Sequence, residues 1–178
     1  MATTAPAAPA KQTLPTPKQQ FLDAFDMEHA TTVRVLRAYP SDKLDLQPHA
    51  KCKTARDLAW VFVSEQGMTE KALTTGLDWS KPMSTPKAPN SVQEIVAALE
   101  ASHTRVADLV RAMPDEQLFD TITFPVAPKT MGDVPRMQFL WMLLCDQIHH
   151  RGQFSIYLRM ADGKVPSIYG PTADEPWM

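Results

Sequence analysis

The 178-residue chain is short of glycine and cysteine and carries almost no net charge. With six glycines it has no glycine-rich phosphate loop, and it has no Gly-x-Ser-x-Gly sequence that would mark a serine nucleophile. Its two cysteines, Cys52 and Cys145, have neither metal nor redox spacing. A single disulfide between them stays open, but Cys145 lies in a buried-looking helix and is interpreted as a core thiol. A net charge of −2 gives no electrostatic footprint for nucleic acid, so no nucleic-acid partner is expected.

Long apolar runs are also missing. No segment reaches the roughly 18 apolar residues that a membrane span needs, so no membrane partner is expected. The stretch 1–16 is rich in alanine, threonine and proline and lacks the apolar core of a signal peptide. We interpret it as a disordered tail and the protein as cytoplasmic. Residues 17–178 are enough for one domain with a substantial core.

Proline, by contrast, is abundant and divides the chain. The 16 prolines leave four long proline-free windows, 18–39, 49–81, 90–113 and 136–165. Because proline breaks a helix interior, each window is predicted to hold one helix of an all-α four-helix bundle. Apolar residues recur at helical spacing in each window, and Ser91 to Glu94 form a capping box.

Two segments outside these windows are predicted to be irregular. Residues 121–126 alternate between apolar and polar, but Pro125 argues against a strand and predicts an extended connection between helices three and four. The turn-rich segment 165–171 carries enough apolar residues that we expect it to pack against the bundle.

Titratable residues occupy the apolar stripes of three predicted helices. Helix one carries His29, helix two carries Glu65, and helix four carries Asp146 and His150 one turn apart. Because burying an unpaired charge costs several kcal/mol, these positions predict that the side chains meet in one polar cluster inside the bundle. Imidazole and carboxylate ligands suit a divalent ion such as Zn, Ni, Mn or Fe(II).

Each of these residues also has a simpler interpretation. His29 can lie at a helix edge with its ring half exposed, and Glu65 can pair with a basic residue of another helix. His150 can simply bond Asp146, four residues earlier in the same helix. His103, on the apolar side of helix three, is interpreted as a satisfied core histidine.

A resemblance to a known family is carried by His149-His150-Arg151-Gly152-Gln153 with Tyr157-Leu158-Arg159, and by the ending Val165-Pro166-Ser167-Ile168-Tyr169-Gly170-Pro171. These residues resemble the last helix and the ending of the DinB/YfiT-like superfamily. The resemblance covers roughly residue 16 to the C-terminus. It implies a four-helix bundle with up-down-down-up topology and a long crossover between helices two and three.

The same resemblance implies a metal-dependent chemistry. Typical members hold one divalent metal with one histidine from helix two and two histidines, four residues apart, from helix four. Characterised relatives include thiol-dependent S-transferases and a mycothiol-dependent isomerase, and many members without assigned activity are named for DNA-damage induction. In this chain the helix-two position falls at or near Val61 and the first helix-four position is Asp146, so only His150 remains.

Two interpretations of the site therefore stay open. In the first, Glu65, Asp146, His150 and His29 form a set of two carboxylates and two imidazoles, which favours Fe(II), Mn or Zn. In the second, the site has become a hydrogen-bonded cluster without a metal.

The sequence is consistent with three functions. The first is a DinB-like protein of unassigned activity with a metal-free polar cluster. The second is a divalent-metal-dependent thiol S-transferase in which Arg151 or Arg159 recognises a substrate carboxylate. The third is a dimeric scaffold for small-molecule binding or stress response.

A homodimer through helix four or the C-terminal segment is expected, because these regions carry more apolar residues than one helix stripe buries. The residues concerned are Trp141, Phe154, Ile156, Val165, Ile168 and Tyr169. His149, on a different face of helix four from His150, is interpreted as a packing or interface residue.

Overall fold

The computed structural model describes residues 14–82 and 86–178, so most of the predicted tail lies outside the described residues. The described chain has four long helices, two short 3-10 helices and one hairpin. The long helices are α1 (Pro17–Arg37), α2 (Ala55–Thr74), α3 (Val92–Ala112) and α4 (Arg136–Met160). They lie inside the four proline-free windows, apart from Pro17 at the first turn of α1. This confirms the predicted four-helix bundle.

Side chains at the N-termini explain where three of the helices begin. The residue before each helix is a threonine or serine whose hydroxyl accepts the backbone N–H three residues later. These residues are Thr16, Thr54 and Ser91. The hydroxyl of Ser91 also donates to Glu94 Oε2 at 2.6 Å, so the two residues of the predicted capping box bond through their side chains.

The core of the bundle consists of two apolar clusters separated by a polar layer. One cluster contains Leu36, Phe62, Leu99 and Leu158, and the other contains Phe25, Leu73, Val110 and Leu143. Buried polar side chains occupy the level between the clusters. They are Glu28, Thr32, Glu65, Gln66, Thr69, Ser102, His103, Gln147 and Arg151.

The order in which each helix meets the two clusters gives the topology. α1 and α4 run from the second cluster to the first, whereas α2 and α3 run from the first to the second. The bundle is therefore up-down-down-up, and α2 and α3 are parallel. Parallel neighbours need a long crossover between them. Here the crossover passes the Trp60 ring, and Trp60 Nε1 donates to the Pro86 carbonyl at 2.7 Å.

The connection between α3 and α4 differs from the prediction. It contains a two-stranded antiparallel hairpin, β1 (Thr121–Ala127) and β2 (Thr130–Pro135), rather than an unpaired extended segment. Pro125 lies within β1 opposite Met131. In a sheet of two strands both strands are edges, so proline is tolerated because its missing N–H can fall on the unpaired side.

Arg151 ties the C-terminal segment to the centre of the bundle. Its guanidinium is 1% exposed, and Nη2 lies 2.6 Å from Glu28 Oε2. Nη1 donates to the Glu28 carbonyl at 3.1 Å and to Thr32 Oγ1 at 3.3 Å, and Nη2 donates to the Tyr169 hydroxyl at 2.7 Å. Tyr169 in turn donates to Glu28 Oε2 at 2.9 Å. The segment expected to pack on the bundle thus does so through a polar contact as well as through buried Val165.

Two expectations about α4 are corrected. Cys145 is exposed rather than a core thiol, because the buried stripe of α4 passes through Leu143, Leu144 and Gln147. Phe154, expected on a second apolar surface, is 1% exposed within the first cluster, whereas Trp141 and Ile156 are exposed. Among the described residues, no helix combines the length and hydropathy that crossing a membrane requires.

We predict that Glu28→Ala lowers the free energy of unfolding by about 3 to 5 kcal/mol, because it leaves the Arg151 guanidinium buried without its counter-charge. Urea unfolding of the two proteins measures this difference. Arg159→Ala is the control, since Arg159 pairs with Asp174 at the surface. Its loss should cost less than about 1 kcal/mol. Equal costs for the two variants would contradict the prediction.

Candidate metal centre

The structure brings Glu65 of α2 together with Asp146 and His150 of α4. One ligand atom from each of these side chains lies within 4.8 Å of the other two. Asp146 and His150 share one face of α4 because they are four residues apart, and the packing of α2 on α4 adds Glu65. The convergence expected from the three stripe positions is therefore present in the fold.

The distances within this cluster leave room for an ion. His150 Nδ1 lies 3.4 Å from Glu65 Oε1 and 3.6 Å from Asp146 Oδ1. Both separations are long for strong hydrogen bonds. Two ligands that each lie about 2.0 to 2.2 Å from one ion are themselves roughly 3 to 3.5 Å apart. The same Nδ1 donates to the Asp146 carbonyl at 2.9 Å, so it must lose this proton and this hydrogen bond before it can bind an ion.

Glu65 is the buried and least satisfied member of the cluster. The residue is 8% exposed, and within the described residues its Oε2 has no hydrogen-bond partner. Burial, followed by the nearby charge of Asp146 and a side-chain hydrogen bond with Asp146, raises the pKa of Glu65 to about 9. The carboxyl is therefore protonated at neutral pH unless a cation offsets its charge.

The cluster opens to solvent on the side of Asp146, whose side chain is 48% exposed. A groove of about 500 Å³ lies beside it; besides Asp146 itself, its lining residues are Met68, Phe124, Met142, Leu143, Cys145 and His149. The donor set, the unpartnered Oε2 and the open side together fit a divalent ion that retains free coordination positions. A small molecule in the groove would lie next to Asp146.

His29 does not join this cluster, contrary to expectation. Its ring stacks on His103 of α3, with ring centroids 3.8 Å apart, and it faces α3 rather than α4. The reason is the rotation of α1, which directs the neighbouring Glu28 to Arg151 of α4. Burial, followed by repulsion from His103, lowers the pKa of His29 to about 4.

His103 has a partner that the sequence did not reveal. Its Nε2 lies 2.8 Å from Asp26 Oδ1, whereas its buried Nδ1 has no hydrogen-bond partner among the described residues. His103, predicted to be a core histidine with all its hydrogen bonds made, thus has a partner at one ring nitrogen only. Asp26 lies far away in sequence and on an exposed position of α1, so no local pattern pointed to it.

The structure separates the two arginines considered for substrate binding. Arg151 cannot contact a substrate in this arrangement, because its guanidinium is buried against Glu28 and Tyr169. Arg159 is half exposed but pairs with Asp174 at 2.6 Å, in the last turn of α4. Substrate recognition by Arg159 stays a prediction.

Sequence reasoning also missed a polar chain beside the cluster. Ser102 Oγ donates to Gln66 Oε1 at 2.8 Å, and Gln66 Nε2 lies 3.5 Å from Gln147 Oε1. Gln66 and Gln147 directly follow Glu65 and Asp146 along the chain. The sequence signal that pointed to these two glutamines was their position directly after two candidate ligands.

Known proteins resemble this chain in sequence and in fold. A model of the DinB family matches residues 11–177. The uncharacterized protein YrdA of Bacillus subtilis (strain 168) is 29% identical over 157 residues, which span 87% of this chain and 89% of YrdA. A DinB-like protein from Bacillus cereus ATCC 10987 superposes with a TM-score of 0.69 at 23% identity, covering 84% of this chain and 95% of that one. A DinB-like protein from Bacillus subtilis, YjoA, gives a TM-score of 0.65 at 14% identity, covering 84% and 97% of the two chains.

The buried Glu65 carboxyl predicts that stability of the metal-free protein falls as the pH rises. The unfolded chain ionises it near its ordinary pKa of 4.5, whereas the folded protein keeps it protonated up to about 9. The contribution of this carboxyl to the free energy of unfolding is therefore complete below pH 4.5 and is lost as the pH rises through 9. Between these values the free energy of unfolding should fall by at most about 1.4 kcal/mol per pH unit from this group.

Glu65→Gln, whose amide stays neutral, should remove this slope. Urea unfolding with chelator present, at about pH 6 and about pH 8, measures the slope in both proteins. Glu116→Gln, at an exposed position of the second 3-10 helix (Asp115–Phe119), should leave it unchanged. A Glu65→Gln protein that keeps the slope of the wild type would contradict a buried, protonated Glu65.

Proposed function

Because the chain belongs to the DinB family, we propose that it binds one divalent cation through Glu65, Asp146 and His150. The observation that carries the proposal is the buried Glu65 carboxyl, which has no hydrogen-bond partner at Oε2 among the described residues and faces a second carboxylate. Without a cation, the site must hold a proton to limit the repulsion between these two acids. A divalent cation would replace that proton and balance both charges.

The ligand set indicates which ions fit. One imidazole and two carboxylates are harder ligands than three histidines, and they favour Mn, Fe(II) or Zn over Ni. Three protein ligands leave further positions for water or a substrate, as in catalytic rather than structural metal sites. When bound, the ion would lower the pKa of a coordinated thiol or water.

The metal proposal predicts proton-coupled binding. Protein purified without an affinity tag and freed of metal with chelator is titrated with Mn²⁺ and with Zn²⁺ by calorimetry. We expect one ion per chain and an affinity that rises by about tenfold per pH unit near neutrality, because the Glu65 proton must leave. Repeating the titration in buffers of different ionisation enthalpy counts the released protons.

Matched variants of α4 identify the ligands. His150→Ala and Asp146→Ala should abolish binding, whereas His149→Ala, one position away on a solvent-exposed face, should leave it unchanged. If the wild type binds neither ion at any pH and chelator does not change its melting temperature, the cluster is metal-free instead.

The groove beside Asp146 supports a second candidate function. Its apolar lining suits an apolar electrophile held next to the ion, so the protein would transfer a small-molecule thiol to that electrophile. The sulfur would form a bond to carbon while the leaving group departs with its electron pair and the thiol proton passes to solvent.

Release of a chromogenic leaving group in the presence of a low-molecular-weight thiol tests this activity. Metal-loaded wild type should be faster than chelated protein. His150→Ala should lose the difference, whereas His49→Ala, at an exposed loop position outside the groove, should keep it. If His150→Ala retains the metal-dependent rate, the groove is not serving this reaction.

A further inference from the structure

A second and larger groove runs between α2 and α3. Its volume is about 780 Å³, which lies in the range typical of small-molecule sites. Residues of α2, α3 and the crossover line it, and none of Glu65, Asp146 and His150 does. The groove therefore contains none of the candidate metal ligands, and it shares one lining residue, Met68, with the groove beside Asp146. An argument about it does not depend on a metal.

One end of the groove is apolar. The Trp60 ring forms a wall there, held by the hydrogen bond from its Nε1 to the Pro86 carbonyl at 2.7 Å. Val63 and Ala98 continue this apolar surface. An apolar wall suits an extended hydrocarbon group, because contact removes apolar surface of both from water.

The opposite end is polar and has an excess of positive charge. Glu70, Lys71 and Arg105 line it, and their formal charges sum to one positive charge. Arg105 uses Nε to donate to Glu70 Oε2 at 3.0 Å, so both terminal nitrogens of its guanidinium are outside that bond. Trp60 and Lys71 are about 16 Å apart along α2 at roughly 1.5 Å per residue.

Gly67 lies in α2 between the two ends and keeps the groove open. A Cβ at this position would meet nothing within 4 Å. Glycine is among the least favourable residues inside a helix, and the packing of this chain does not require it here. Its missing side chain leaves the backbone accessible to a bound molecule.

From this arrangement we propose that the α2–α3 groove binds a small amphipathic carboxylate. Its linear acyl chain lies along Trp60 and over Gly67, and its carboxylate lies between Lys71 and Arg105. The charge at the polar end distinguishes this ligand from a cationic amphiphile of the same length, and the apolar end distinguishes it from a short organic acid.

The binding test uses the isotope-labelled full chain in nuclear magnetic resonance titrations. Decanoate, kept below its self-association concentration, should give saturable shifts at the Gly67 amide and the Trp60 indole. Decyltrimethylammonium should bind at least about tenfold more weakly, because it meets the positive end with the wrong charge. Either no saturable shift with decanoate or equal affinity for the two amphiphiles would overturn the proposal.

Two glycines allow a matched pair of variants. Gly67→Leu fills the groove and should weaken decanoate binding at least about tenfold without lowering the melting temperature. Gly152→Leu makes the same change in α4, outside the groove, where a Cβ also meets nothing within 4 Å, and should leave binding unchanged. Lys71→Met should weaken binding of decanoate but not of the cation. Unchanged binding by Gly67→Leu would overturn the proposal.

Discussion

A layer of polar side chains crosses the bundle between its two apolar clusters, and the arrangement of the four helices depends on it. Arg151 and Glu28 pair there with almost no exposure to solvent. A buried ion pair contributes little net stability compared with apolar residues, but breaking one costs several kcal/mol. Apolar stripes alone would tolerate several helix orders and registers. We interpret the layer as the feature that selects one of them, because the others would leave these polar groups unpaired.

The same layer contains two glutamates that are equally buried but differently paired. Glu28 is 7% exposed and Glu65 is 8% exposed. Glu28 has the full positive charge of Arg151 and a hydroxyl of Tyr169 beside it, so its negative charge is balanced within the chain. Glu65 faces another carboxylate and lies 3.4 Å from an imidazole nitrogen. The first arrangement holds the fold together, whereas in the second the Glu65 carboxyl keeps a proton at neutral pH instead of pairing with a counter-charge of the chain.

α2 supports both candidate sites because neighbouring residues of a helix point in different directions. Glu65 is directed toward α4 and the candidate metal centre, whereas Gly67, two residues later, lines the groove shared with α3. Between them in sequence, Gln66 joins Ser102 of α3 and extends toward Gln147 of α4. The buried amide of Gln66 thus links α3 and α4 at a position of α2 between Glu65 and Gly67.

The sequence by itself determined the four helices and part of the candidate site, because both depend on local geometry. Proline excludes helix interiors wherever it occurs, and a spacing of four residues places Asp146 and His150 on one face of any helix. Only the tertiary structure decided that Glu65 meets them and that His29 does not. Successive residues of a helix point about 100° apart, so the rotation of α1 that directs Glu28 to α4 turns His29 to α3.

Long-range packing also decided the strand pairing at Pro125 and the burial of Arg151, because neither depends on local spacing. Pro125 is compatible with β1 only because the sheet has two strands, which the sequence around Pro125 does not specify. Arg151 carries a charge that by itself suggests a surface or a substrate contact. Its burial became possible only when the fold placed Glu28 of α1 and Tyr169 of the C-terminal segment around it. Such partners lie more than 100 residues away or beyond the end of the helix, where no local spacing records them.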